Sequence, residues 1–186
     1  MTGLEYAEQA RSGIYNGIPY KQLDCQAFME RVLKDLGVKK PDGSYYNWKG
    51  SNDMWRNIPG WKGTLEECRT TFGEIPLGAW VFIVKHDGGE QDRGYHDNLG
   101  NASHVGCYCR TGTDCVRDST RYTGRDGVGY RNIKSFTHVL LPNFLEWEEE
   151  EQPELLPAVI ILRDPASNNK DWLAALETLA HYLKGV

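Results

Sequence analysis

Three residues of this chain have the types and surroundings for covalent chemistry: a cysteine opening a helix, a histidine opening a strand, and a carboxylate one strand further on. Cys25 begins a run whose apolar residues fall at 25, 28, 29, 32, 33 and 36, the spacing of one buried helical face. Asp24 stands just before the pattern and is placed to cap it. Cys25 therefore lies in the first turn, where unpaired backbone N–H groups and the positive end of the helix dipole favour a thiolate. The competing reading is a plain core position, since cysteine is among the most buried residue types.

A thiolate nucleophile needs an imidazole within hydrogen-bond reach and a polar group to orient the ring. His104, between Ser103 and Val105, starts a strand in which 104, 106 and 108 share one face and 105, 107 and 109 the other. Gly106 leaves room beside the histidine. Centring a hairpin on Thr111-Gly112-Thr113 pairs 110 with 114, 108 with 116 and 106 with 118. Asp118 then falls on the His104 face, diagonal to the ring, where it can fix the tautomer. His86, His96 and His138 receive no role.

The elements that must position these groups follow in order along the chain. Residues 3–12 read as a short amphipathic helix, and Asn16-Gly17-Ile18-Pro19 as a turn into Tyr20 and the central helix, which ends at Gly37. Residues 45–63 concentrate Tyr45, Tyr46, Trp48, Trp55 and Trp61 without periodicity and read as an aromatic lid over the core. Thr64 and Glu67 form a capping box for another helix. Strands are expected at 79–84, 102–109, 115–119, 130–134 and 136–142, with 86–101 a polar, glycine-rich insertion. Helices first and an antiparallel meander second give an α+β fold, with N-terminal helices on a sheet of about five strands. The domain is drawn as 1–145, followed by an acidic linker at 146–157 and a strand and amphipathic helix at 158–186. That last helix would pack back on the domain or form a homo-oligomer.

Composition removes other classes. A net charge of −5 with no Lys/Arg stripe argues against nucleic acid as a partner, and no apolar run is long enough to span a bilayer. The N-terminus lacks an apolar leader segment, so the protein is expected to be made in a bacterial cytoplasm. Five cysteines are an odd number for a disulfide framework. Cys107, Cys109 and Cys115 lack the paired C-x2-C knuckles of a zinc ribbon, so neither metal nor other cofactor is expected; a Cys109–Cys115 bridge across the hairpin is conceivable.

Asp24-Cys25-x-x-Phe28, Ser103-His104-Val105-Gly106-x-Tyr108, the strand Leu77-Gly78-Ala79-Trp80-Val81-Phe82 and Val116-Arg117-Asp118-Ser119 together resemble the NlpC-like cell-wall cysteine peptidases, a papain-like family. The likeness covers residues 15–142 in order and approximate spacing. It implies a papain-like fold with Cys25 as nucleophile, His104 as general base and then acid, and Asp118 as the orienting group. It also implies that Tyr20 and Asp24 hold the free amine of a peptidoglycan stem peptide, with Gln26 and Ser103 beside the substrate. Three departures stand out: Gln26-Ala27 replaces the common Ser-Gly, the third residue is Asp where the family often has His, and the insertion at 86–101 is long. The resemblance implies an amide hydrolase acting at the cell wall; the missing apolar leader and the short acidic tail fit a phage lysin or a virion-associated enzyme. An amidase cutting between sugar and peptide, or a non-catalytic module on the same scaffold, are the alternatives.

Overall fold

The computed structural model describes residues 1–122 and 124–147, together with Leu176. The linker from residue 148 on, and the strand and helix expected at 158–186, lie outside the described residues, apart from a helical Leu176. The first compact unit runs from Met1 to Trp147. Glu146 and Trp147, read from sequence as the start of the linker, are within it. Glu146 forms a parallel bridge with Thr2, and Trp147 Nε1 donates to the Pro142 carbonyl at 2.9 Å.

This unit is α+β. Helices α1 (Gly3–Arg11), α2 (Cys25–Asp35), α3 (Ser51–Asn57) and α4 (Leu65–Phe72) accompany strands β1 (Gly60–Thr64), β2 (Trp80–Lys85), β3 (Asn101–Tyr108), β4 (Val116–Thr120), β5 (Gly127–Arg131) and β6 (His138–Pro142). These six strands pair antiparallel throughout, in the order β1-β6-β2-β3-β4-β5. Helix starts follow their capping chemistry. Thr2 and Glu5 form a reciprocal capping box on α1, Thr64 and Glu67 another on α4, and Asp24 caps α2.

Alternate residues of β2 enter two different cores, as the two-residue period of a strand requires. Trp80, Phe82 and Val84 pack with Tyr6 and Ala10 of α1, Phe28, Met29, Val32 and Leu33 of α2, and Met54 and Trp55 of α3. Ala79 and Val81 pack on the opposite face with Cys68 of α4, Phe136, Val139 and Leu141. Fully burying each of these larger apolar side chains contributes about 1.5–3 kcal/mol.

The sheet has six strands rather than five. The extra one, β1, lies in the segment read as an aromatic lid, and Gly60-Trp61-Lys62-Gly63-Thr64 has two glycines in five residues, a poor strand composition. It forms because β6 offers an open edge, with Gly60↔Pro142 through Thr64↔His138 in register. Trp55 and Trp48 of the same segment do pack on the core, against Phe82 and Trp80 respectively. The strand expected at 130–134 lies at 127–131, and 133–135 is a 3-10 turn. Cys109 and Cys115 belong to the two opposite cores, and all five thiols are free. The conceivable bridge across this hairpin is therefore not formed.

Candidate active site

The residues leading into α2 are fastened to the far end of the sheet, and this fixes where Cys25 stands. The Ser119 hydroxyl on β4 donates to the Leu23 carbonyl. The Tyr20 amide donates to Asp126 Oδ1 at 2.9 Å. At Gly127 the backbone has φ +105°, and an added Cβ would lie 2.1 Å from the Ile18 carbonyl oxygen. Only glycine fits there. Asp24 Oδ1 accepts the Ala27 amide at 2.8 Å, so the helix begins at Cys25 with its first N–H groups directed outward. The Cys25 side chain is largely covered, the residue being 7% exposed.

His104 is aimed by a β-bulge. Ile83 pairs with His104, but the next pair is Val84 with Ala102, which makes Ser103 the extra residue of β3. β3 and β4 pair as Cys107↔Arg117 and Tyr108↔Val116, the register expected from the hairpin count. Continued by one residue it sets Gly106 against Asp118. An added Cβ at Gly106 would lie 3.0 Å from Asp118 Cβ and 2.7 Å from Val116 Cγ1, so the absent side chain makes room for the carboxylate. His104 Nε2 lies 2.6 Å from Asp118 Oδ2, and Asp118 is fully buried.

Electrostatics tie the thiol into this pair. Burial pushes the His104 imidazole down, but the hydrogen bond to Asp118 and the hydrogen bond to and charge of Cys25 outweigh it, and the ring is pushed up to about 9. The shift favours the protonated ring. Burial, followed by the charges of Cys25 and Asp24 and the bond to Cys25, pushes the Tyr20 phenol up to about 12; Arg121 opposes these. Cys25 thus faces both the imidazole and the phenol.

Of the residues singled out from sequence, Cys25, His104 and Asp118 come together, and Tyr20 and Asp24 stand beside the thiol. Gln26 and Ser103 are engaged elsewhere. The Gln26 amide donates to Glu30 Oε1 at 2.8 Å and to the Trp48 carbonyl, tying the aromatic segment to α2. The Ser103 hydroxyl donates to the Ile83 carbonyl at 3.3 Å within the bulge.

Sequence reasoning missed Arg125 and Arg131. Arg125 Nη2 bonds Asp118 Oδ1, and Arg131 Nε lies 3.1 Å from Asp118 Oδ2. The signal lies in the register of β5, where Gly129 pairs with Asp118 and Arg131 with Val116, which puts Arg131 on the Asp118 face. The loop between β4 and β5 lacks a short turn signature that would fix this register.

No family model, curated protein or solved structure matches the chain.

Proposed function

We propose that this chain is a papain-like cysteine hydrolase that cleaves an amide bond in the peptide stem of bacterial peptidoglycan. One observation carries the reading. A cysteine in the first turn of a helix faces a histidine whose other ring nitrogen is held by a buried carboxylate. The order of elements, with the cysteine helix ahead of the histidine strand, supports papain-like architecture. The substrate class rests on the resemblance to NlpC-like peptidases, and the Tyr20 and Asp24 side chains next to Cys25 suit a free amine.

On this reading the reaction runs through an acyl-enzyme. Cys25 Sγ attacks the scissile carbonyl carbon, and the oxyanion that forms is stabilised by the Cys25 backbone N–H at the open end of α2. His104, already protonated, gives its proton to the leaving amine as the C–N bond breaks, and the acyl group stays on sulfur as a thioester. The neutral imidazole then takes a proton from water, whose oxygen attacks the thioester. The acid product leaves, the sulfur is freed, and Cys25 and His104 return to their starting state. Asp118 holds the ring throughout.

Digestion of defined muropeptides, read by mass spectrometry, tests this. Stem fragments with new termini, absent with Cys25→Ala, are expected. Whole stems freed from sugar would instead indicate an amidase.

A further inference from the structure

We propose that Arg125 and Arg131 are positioning residues of this site, holding the Asp118 carboxylate toward His104 and sharing its negative charge with the imidazole. The proposal rests on reading Cys25 and His104 as a reactive pair.

The geometry is specific. Asp118 is fully buried, and both its oxygens are taken. Oδ2 meets His104 Nε2 at 2.6 Å and Arg131 Nε at 3.1 Å, and Oδ1 meets Arg125 Nη2. Arg125 is itself fixed, with Nη1 donating to the Tyr130 carbonyl at 2.8 Å and Nη2 to the Asp118 carbonyl at 3.3 Å. A carboxylate bonded on both sides cannot rotate away from the ring. A lone buried carboxylate would be costly, and guanidinium groups are cations at every working pH.

The backbone is shaped to admit this arrangement. Gly129 pairs with Asp118 across the β4–β5 ladder. A Cβ there would lie 2.5 Å from Arg125 Nη1 and 2.6 Å from its Cδ. The arginine reaches Asp118 by crossing the space a side chain at 129 would fill. On the other flank, Gly106 leaves room for the Asp118 side chain. Two cross-strand glycines thus frame one carboxylate.

The charge balance gives the arginines a function beyond packing. Asp118, Arg125 and Arg131 together carry one more cation than anion. The imidazole therefore meets a carboxylate whose charge is already shared, and its proton is held less tightly than by Asp118 alone. The other titratable group acting on the ring is Cys25 from α2; Tyr20, from the segment before α2, stands on the far side of that thiol, with the charges of Asp24 and Arg121 acting on its phenol.

The test follows His104 by NMR titration and Cys25 by iodoacetamide adduct formation against pH, mapped by peptide mass spectrometry in the full chain. Arg131→Gln and Arg125→Gln are each expected to move the imidazole midpoint up by about one pH unit, whereas Arg131→Lys, which keeps the charge, stays close to wild type. Gly129→Ala removes no ionisable group but displaces Arg125, so it should shift the midpoint as Arg125→Gln does. Should a glutamine variant fail to fold, Gly129→Ala and Arg131→Lys still decide the matter. Midpoints unmoved or lowered in folded Gln variants and in Gly129→Ala would overturn the proposal. Neither readout needs a substrate. Shifted midpoints in a chain that leaves muropeptides intact would sink the hydrolase reading and keep the positioning role.

Discussion

His104 meets Asp118 through Nε2, 2.6 Å from Oδ2, and this leaves Nδ1 as the ring nitrogen available to Cys25, which acts on the same imidazole. The assignment gives each nitrogen one task. Nε2–H is held by a buried carboxylate, and under the proposed function Nδ1 carries the proton that would move during hydrolysis. Neither strand would achieve this alone. The bulge at Ser103 turns the imidazole, and the open space at Gly106 lets Asp118 come close.

Asp118→Asn removes the anion while leaving Arg125 and Arg131 in place. The His104 midpoint should fall from about 9 toward its ordinary range, which NMR titration measures. Two guanidinium groups lose their carboxylate, so stability should drop by about 3–5 kcal/mol. Hydrolysis should slow by about 100-fold as the ring loses its orienting partner.

The raised His104 also predicts how stability depends on pH. The folded state binds this proton more tightly than the unfolded chain, so the contribution is fully present below about 6.5 and lost as pH rises through about 9. Its size is on the order of 3 kcal/mol. Buried thiols with raised pKa values, such as Cys68, pushed up by burial to about 11, add a further loss at alkaline pH. Urea midpoints of wild type and His104→Gln from pH 6 to 10 separate the two. The gap between the curves should close over this range, and a constant gap would contradict the assignment.

Gly106→Ala should be costly for a glycine in a strand. The new methyl would lie 2.7 Å from Val116 Cγ1 and 3.0 Å from Asp118 Cβ, and overpacking of this kind costs about 1–3 kcal/mol. Denaturant unfolding measures the loss. Because the clash falls on Asp118, the His104 midpoint should move with it.

Arg56 anchors the long insertion between β2 and β3. Its buried guanidinium donates to Asp97 at 2.7 and 2.8 Å, to the Gly100 carbonyl at 2.9 Å and to Asn52 at 2.9 Å, and it lies 4.2 Å over the Tyr95 ring. Arg56→Ala should destabilise the fold by about 2–4 kcal/mol. Limited proteolysis should then cut between residues 87 and 99 well before the rest of the first unit, as mapped by mass spectrometry.

What could be read from the sequence was what rests on local chemistry. The caps at Asp24 and Thr64 and the apolar face of α2 each act within a few residues, and α2 and α4 begin where the capping residues place them. The β3–β4 register followed from one tight hairpin, and with it the meeting of His104 and Asp118. What escaped depends on partners distant in sequence. β1 is a strand only because β6 has an edge to pair with. Arg125 and Arg131 reach the site only through a β4–β5 register set by a longer loop. Gln26 shows the same limit, because the carbonyl its amide meets belongs to Trp48, whose place beside α2 no local pattern encodes.

The most direct test of the account is digestion of defined muropeptides by wild type and by Cys25→Ala, with products read by mass spectrometry. Wild type is predicted to release stem fragments with new termini, and Cys25→Ala to leave every stem uncut. Cleavage by Cys25→Ala at the wild-type rate, or stems left intact by folded wild type, would contradict it.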